Sequence, residues 1–368
     1  MGGVPCGKRD PSHFISMYHM AKPIAIISTD RHLKDSNAIG LIDLAEQEIA
    51  LAGRLGIKQI IWLGDMFDSR IGQRQELLTC MSEMIDMYAS AGLQIMCIPG
   101  NHDKTDYTLD DSFLSTYRYH PGFTLFEEPR VVTFEGVEMH FVPFYEQETW
   151  VERFKWLPKP LNKNSVLFSH TAVSGSINND GKVVENKISL KMFSGYGKVF
   201  LGHYHNAQQP GRNVFHLPSV QQNNFGEDED KGFTVLYDDL SFELVKSHFT
   251  PYRTIRLNIA ALSPEEVVDA SKKINTDDQH LRVTLIGDQQ SVKSINKKLF
   301  TDRGAVVEVK YTDVEVGPEA EEERVVRKLS GTDIAEKFKE FCSEKGYNYA
   351  EGFGLLKEIM KWQDQEQV

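Results

Sequence analysis

The N-terminal part of the chain alternates short apolar runs with amphipathic helical patterns, and this order strongly restricts the fold. Apolar runs occupy residues 24–28, 58–64 and 93–100. Helical periodicity covers residues 36–55 and 73–91 between them. This strand–helix–strand–helix–strand order predicts parallel strands joined by right-handed crossovers, because each helix must pack back on the sheet. We therefore expect an α/β arrangement here.

The middle of the chain is richer in strands. Residues 131–144 predict a hairpin that turns at Glu135-Gly136. Further strands are predicted at residues 165–170, 198–203, 213–218, 232–238 and 241–249. Two packed mixed sheets flanked by helices would accommodate both halves. The predicted class is therefore α/β (α+β), with a two-sheet β-sandwich at its centre.

A different unit begins near Pro251. Ser263-Pro264 followed by two glutamates predicts a helix start, because it combines an N-cap, an N1 proline and acids on the helix dipole. Strands at 281–287 and 305–311, with a helix near 291–302, complete a small βαβαβ module. We expect a disordered segment or an extension at 1–20, a main domain at 21–250, a capping domain at 251–314, an acidic linker at 315–329 and a helical tail at 330–368.

Composition excludes some classes of function. The formal net charge of −12 argues against strong autonomous binding of nucleic acid, although a local basic groove or a partner could supply it. No apolar run is long enough to span a membrane, and the N-terminal stretch has no signal-peptide core. The four cysteines form no CxxC pair, which favours reduced thiols. We expect a cytoplasmic protein, in the host cytoplasm if it is viral.

Five of the predicted strands end in residues that can bind metal ions. These residues are Asp30 and His32, then Asp65 and Asp68, then Asn101, His102 and Asp103, then His170, and finally His203 and His205. Each group alone is weak, since turns and strand ends often carry such residues. Active sites of α/β sheets gather at the carboxyl ends of strands, so the conjunction predicts one metal site.

The order D-x-H, G-D-x-x-D, G-N-H-D, H and G-H-x-H resembles that of the calcineurin-like metallophosphoesterase superfamily over residues 24–249. The resemblance implies two divalent ions, and the mixed nitrogen and oxygen ligands favour Mn²⁺, with Fe or Zn as alternatives. It implies one ion on Asp30, His32, Asp65 and His205, and a second on Asp65, Asn101, His170 and His203. Asp65 would bridge the two ions.

The resemblance also separates chemistry from ligation. It implies that His102, as an imidazolium, stabilises the transition state or protonates the leaving oxygen. Asp103 either orients His102 or caps a helix, and both interpretations remain open. Asp68 is expected to support the ligands rather than bind an ion. Tyr204, between the two histidines of the last group, is expected to pack.

The sequence after the last motif is similar to that of SbcD-type DNA repair and recombination nuclease subunits, closest to those of bacteriophages. The similarity lies in residues 217–239, with Phe225-Gly226-Glu227 and Lys231-Gly232, although Pro218-Ser219 reverses the order seen in relatives. It implies an exonuclease on double-stranded DNA ends and an endonuclease on single strands or hairpins. It also implies an SbcC-type, SMC-like ATPase as partner and a homodimer.

Candidate contacts to DNA and to partners follow from these expectations. Basic residues beside the metal motifs could meet phosphates or be solvated loop charges: Arg31, Lys34, Arg70, Arg74 and Lys104. Apolar residues of the tail could dock on the ATPase or pack on their own chain: Ile334, Phe338, Phe341, Leu355, Leu356 and Ile359. The helix at 73–91 could serve the dimer, but burial in its own core is the simpler use.

Two rival functions are compatible with the same motifs. A phosphomonoesterase or a cyclic-nucleotide phosphodiesterase would use the same metals but would need neither the capping domain nor the tail. A non-catalytic scaffold that recruits the ATPase is disfavoured, because the ligand set and His102 are intact.

Overall fold

The computed structural model describes residues 21–178 and 181–312, together with Lys339 and Cys342. The predicted extension at 1–20, the linker and nearly all of the tail lie outside the described residues. So do all six predicted tail contacts: Ile334, Phe338, Phe341, Leu355, Leu356 and Ile359. Within the described ranges, no helix combines the length and apolar character needed to cross a membrane.

The first sheet has six strands and contains the predicted parallel core. Its strands are β1 (Pro23–Ser28), β2 (Gln59–Trp62), β3 (Gln94–Cys97), β4 (Phe123–Leu125), β11 (Gly232–Tyr237) and β12 (Phe242–Lys246). The order is β12-β11-β1-β2-β3-β4, with β1 to β4 parallel and β11 antiparallel to both of its neighbours. Helices α1 (Ala38–Leu55) and α2 (Gln75–Ser90) make the crossovers, as the sequence predicts.

The second sheet also has six strands. They are β5 (Arg130–Phe134), β6 (Val137–Val142), β7 (Ser165–His170), β8 (Lys198–Gly202), β9 (Gln208–Gly211) and β10 (Val214–His216), in the order β5-β6-β7-β8-β10-β9. The predicted hairpin joins β5 to β6, and Glu135 and Gly136 both have positive φ there, as a tight two-residue turn requires. Helix α3 (Gln147–Phe154) was not predicted.

Three apolar clusters stack these elements into four layers. The central cluster lies between the sheets and includes Ile27, Phe141 and Phe168. A second cluster packs α1 and α2 on the outer face of the first sheet, and a third packs α3 on the outer face of the second sheet. Much of the apolar face of α2 is buried in its own core. The two-sheet α/β fold is confirmed.

A third sheet of three strands follows in the chain. It has the order β13-β14-β15, with β13 (Tyr252–Asn258), β14 (His280–Gly287) and β15 (Val306–Tyr311). Its helices are α4 (Pro264–Lys272), α5 (Gln289–Ser294) and α6 (Lys298–Thr301). The predicted cap is present, since the Glu266 N–H donates to Ser263 Oγ and the Ser263 N–H donates to the Glu266 carboxylate. The predicted helix near 291–302 is two short helices, because Ile295 is extended.

Compact units do not follow the order of the chain. The unit with the two large sheets continues through Ile255 and includes Asp269–Val283 and Lys297–Val307. A second unit contains Arg256–Val268 and Thr284–Asn296. The predicted division at residue 251 therefore stays a prediction.

Arg31 lies in the core, which corrects its assignment as a phosphate contact. Its side chain is fully buried and forms an ion pair with Glu48, also fully buried. It also donates to Tyr88 Oη at 3.1 Å and lies 5.0 Å from the centre of the Trp62 ring. Tyr88 Oη donates to the same carboxylate at 2.5 Å. Burial acts to lower the pKa of Arg31, but Tyr88 and Glu48 raise it, so the guanidinium stays charged.

The Glu48→Ala variant should lose about 3–5 kcal/mol of unfolding free energy, because it leaves the Arg31 charge buried without its partner. Denaturation in urea measures this loss. The control is Lys246→Ala, which removes an exposed ion pair with Asp230 and should not change the urea midpoint measurably. Equal midpoints for the two variants would show that the buried pair does not stabilise the fold.

Candidate metal centre

The carboxyl ends of five strands meet at one edge of the sandwich. Two contacts join the sheets there. The ring of His170, at the end of β7, donates from Nδ1 to the Leu63 carbonyl oxygen at 2.6 Å. The backbone N–H of His203, directly after β8, donates to both oxygens of Asp30, at 3.3 and 3.2 Å. The predicted convergence of strand ends is therefore present in the structure.

The glycines of the motifs allow this close approach. A Cβ on Gly202 would lie 2.3 Å from Thr29 Oγ1, and a Cβ on Gly100 would lie 2.2 Å from Asp65 Oδ1. Four of the predicted ligands adopt positive φ, which is costly for residues other than glycine: Asp30 (53°), His32 (47°), Asp65 (52°) and His203 (91°). Such strain collects at functional sites, where the surrounding structure enforces it.

The first ligand group contains Asp30, His32 and His205. The Nε2 atoms of the two histidines lie 3.0 Å apart. His205 Nε2 is 3.7 Å from Asp30 Oδ1, and His32 Nε2 is 3.6 Å from Asp65 Oδ2. The turn after Gly202 directs His205 to this group and His203 to the other.

The second group contains Asp65, His170 and His203, with the amide of Asn101 among them. His170 Nε2 lies 3.2 Å from Asp65 Oδ2 and 3.2 Å from Asn101 Oδ1. His203 Nδ1 is 2.9 Å from Asn101 Oδ1. Asp65 thus borders both groups, in the place expected for a bridging ligand.

The donor atoms fit divalent cations. His170 Nδ1 donates its proton to the Leu63 carbonyl oxygen, so Nε2 is the ring atom that lies 3.2 Å from both Asp65 Oδ2 and Asn101 Oδ1. Burial alone would lower the pKa of His170, but Asp65 and Asp30 raise it to about 9. Burial and His170 hold the pKa of His203 well below its usual value, which keeps this imidazole neutral for ligation. The field of the two aspartates therefore favours a positive charge here, either a proton on His170 Nε2 or a metal ion in its place.

Glu227 supports the first group, and motif reasoning did not assign it a role. Its Oε1 accepts a hydrogen bond from His205 Nδ1 at 2.7 Å, which leaves Nε2 free to ligate. Buried Lys231 lies 3.3 Å from Glu227 Oε2 and donates to the His205 carbonyl oxygen at 2.6 Å. Burial acts to raise the pKa of Glu227, but the bond from His205 lowers it overall. The sequence signal for this support is the pair of segments Phe225-Gly226-Glu227 and Lys231-Gly232, which resemble SbcD-type subunits.

His102 lies at the rim of both groups. Its ring centre is 4.6 Å from that of His32, and its backbone N–H donates to Asp65 Oδ1 at 2.8 Å. Nδ1 donates to the Asp68 carbonyl oxygen at 2.5 Å, and Nε2 accepts from the exposed Arg70 guanidinium at 2.8 Å. Burial lowers the pKa of His102, so the ring is neutral in this arrangement. Its predicted imidazolium role stays a prediction.

The two other carboxylates of the motifs have distinct contacts. Asp103 accepts backbone N–H bonds from Met66, Phe67 and Gly100 at 2.9, 3.1 and 2.8 Å. These bonds fasten the loop after β2 to the loop after β3. The orienting role of Asp103 therefore stays a prediction, and the described contacts favour loop support. Asp68 Oδ1 lies 3.4 Å from His32 Nδ1, and this contact lowers the pKa of Asp68.

The predicted phosphate contacts differ in exposure. Lys104 is fully buried, donates to the Leu109 carbonyl oxygen at 2.8 Å and lies 4.2 Å from the centre of the Tyr145 ring. Its assignment to DNA is thus corrected, as for Arg31: both cations serve the core. Arg70 is exposed, Arg74 pairs with Asp35, and Lys34 lies 3.5 Å from Asp68 Oδ1.

Comparison with known proteins decides the family of this fold. The sequence profile of the family described as calcineurin-like phosphoesterase matches residues 26–207, which contain all five motifs. Residues 26–207 are a calcineurin-like phosphoesterase domain. Membership of this family implies phosphoester hydrolysis as the class of reaction, and the fold is one that binds two divalent metal ions.

Relatives of this phosphoesterase domain occur in viruses. Exonuclease subunit 1 of Enterobacteria phage T4 is 22% identical over 215 residues, which are 58% of this chain and 61% of that protein. The 078R protein of Invertebrate iridescent virus 3, a phosphoesterase by name, is 21% identical over 334 residues, which are 86% of this chain and 90% of that protein. A dimetal phosphatase from Danio rerio matches with a TM-score of 0.44 and 11% identity, covering 59% of this chain and 93% of that one.

The Glu227→Ala variant should bind Mn²⁺ about 10–100-fold more weakly in the Asp30 group, because His205 loses its orienting partner. Isothermal titration of the metal-free protein measures this affinity. Glu227→Gln, which keeps an acceptor, should lose less. The control is Glu229→Ala, which removes an exposed partner of Arg253. If Glu227→Ala and the control bind Mn²⁺ equally well, Glu227 does not orient a ligand.

Proposed function

We propose that this protein is a two-metal DNA nuclease, an exonuclease on double-stranded ends and an endonuclease on single strands and hairpins. The observation that carries the proposal is the pair of ligand groups, with Asp65 in one and beside the other, at the rim where His102 lies. When bound, two divalent ions polarise the phosphoryl group and lower the pKa of the attacking water. We propose Mn²⁺ for both positions, from the mixed imidazole, carboxylate and amide set.

The chain's own residues would position the substrate and handle the proton. Arg70 and His102 bond to each other in the structure, and a phosphate oxygen is a stronger partner for the guanidinium. Substrate binding would therefore release His102 Nε2 from Arg70. Nδ1 would stay held by the Asp68 carbonyl oxygen, which leaves Nε2 as the ring atom that can take up a proton. Protonated at Nε2, His102 could then donate to the leaving oxygen.

Two features support DNA over a small phosphoester as substrate. One is the similarity to an exonuclease subunit of phage T4. The other is the segment around Glu227 and Lys231, which in this structure supports a metal ligand and was the basis of the SbcD-type resemblance. The phosphomonoesterase or cyclic-nucleotide phosphodiesterase remains the rival, since the longer match is to a phosphoesterase.

The His102→Ala variant should lose about 10²–10⁴-fold in kcat on blunt-ended and hairpin DNA with Mn²⁺, because the proton donor is gone. Its Mn²⁺ affinity should be unchanged. His120→Ala is the matched control, since that imidazole pairs with Asp86 instead. Full activity in His102→Ala would overturn the role of His102. Hydrolysis of bis-p-nitrophenyl phosphate by the wild type, without cleavage of DNA even beside an ATPase partner, would overturn the nuclease.

We also propose an SbcC-type, SMC-like ATPase as partner and a homodimer as the working state. The acidic net charge supports a partner that clamps the DNA, because this chain lacks the overall basic surface for that task.

A chain that ends at Lys328 should lose the ATPase, since the proposed docking residues follow that point. A pull-down with the ATPase measures this loss, and Mn²⁺ titration checks that the truncated chain keeps its metal sites. Retention of the ATPase by the truncated chain would place the docking surface elsewhere.

A further inference from the structure

A cavity of about 660 Å³ opens beside the metal centre, and neither the motifs nor the proposed chemistry uses it. Its volume is in the range of pockets that hold small molecules. Lys34, Asn37 and Ile39 line it from the start of α1, and Asn223, Tyr252 and His280 line it from the other side. We call it the Lys34 groove. Its lining residues belong to one compact unit.

An aromatic platform forms part of the Lys34 groove. The ring of the exposed His280 stacks on that of Tyr252, with centres 4.3 Å apart and planes inclined by 29°. Phe225 meets the same tyrosine edge-on at 5.0 Å, and the Arg282 guanidinium lies 4.8 Å from the centre of the Phe225 ring. Phe225 and Arg282 therefore support Tyr252 in this platform, while His280 remains exposed to solvent.

The platform is tied to the metal centre through short contacts. The Tyr252 N–H donates to Gln222 Oε1 at 2.8 Å, and Gln222 Nε2 donates to the Glu227 carbonyl oxygen at 2.8 Å. Asn223 Nδ2 donates to the Asp30 carbonyl oxygen at 3.3 Å. On the other wall, Lys34 reaches Asp68, which lies beside His32. The groove thus lies next to the metal ligands, since Asn223 contacts Asp30 and Lys34 contacts Asp68.

In the parts of the groove that lie away from the metal centre, the charged side chains favour a nucleobase over a phosphate. Lys34 is the cation closest to the metal ligands among the described lining residues, whereas Asp43, Asp277 and Asp278 line other parts. Carboxylates repel phosphate but accept hydrogen bonds from the amino groups of bases. The exposed side chain of Ile39 adds an apolar wall, with 82% of its surface accessible.

We propose that the Lys34 groove receives a nucleobase of the substrate strand, next to the phosphate at the metals, which stacks on His280. The proposal rests on the nuclease function and adds a subsite for the base. Stacking on an aromatic ring tolerates any base sequence, because every base presents a π face. The groove would therefore hold single-stranded or unpaired nucleotides rather than select a sequence.

Binding without metal tests the groove separately from cleavage. The probes are a fluorescent oligodeoxycytidylate and an abasic chain with the same number of phosphates, measured by anisotropy in EDTA at low salt. Wild type should bind the base-bearing probe at least about fivefold more tightly. His280→Ala should remove this preference, and His280→Phe, which keeps a stacking face, should retain it.

The control His120→Ala removes an imidazole that does not line the groove, and it should behave as wild type. A preference for the base-bearing probe that persists in His280→Ala would overturn the proposed base site. The absence of any preference in the wild type would also overturn it. If the preference for the base-bearing probe depends on His280 but the protein cleaves no DNA, the base site is supported and the proposed nuclease function is overturned.

Discussion

The hydrogen bond from His170 Nδ1 to the Leu63 carbonyl oxygen joins the two sheets where both carry their ligands. It fixes one proton of His170 on Nδ1, so Nε2 is the ring atom that faces Asp65 and Asn101. The close approach behind it depends on Gly202, whose added Cβ would lie 2.8 Å from the same Nδ1. The metal centre is therefore a product of how the sheets meet, and its ligands can be far apart in the chain.

The sequence predicted what depends on periodicity and on strand ends. The mainly apolar runs that contain β1, β2 and β3 are each followed by polar residues, so the edge that carries Asp65 could be inferred. The strands β4 and β9 were missed, because three or four residues carry too little periodicity. Helix α3 was also missed, and its one buried residue, Trp150, gives no stripe.

Charges were the least predictable part of the site. Arg31 and Lys104 stand beside ligands in the sequence, as surface phosphate contacts would, yet each is buried against aromatic rings and oxygen acceptors. Whether a cation faces solvent depends on residues distant in sequence, such as Glu48 and Tyr145, which no local pattern reveals. The same reason hid Glu227, whose bond to His205 exists only after the loops fold.

Arg31 and Lys104 are buried, so neither can contact a bound polyanion. A chain of net charge −12 would need other groups to attract one. Arg70 and Lys34 remain at the rim. Two divalent metal ions in the ligand groups would add four positive charges within the site itself. Affinity for phosphate would then be concentrated at the two ions, and the net negative charge of the chain would weaken its attraction for the rest of a strand. Stacking of a base on His280 does not depend on charge, which makes it a means of holding a strand that an acidic protein can use.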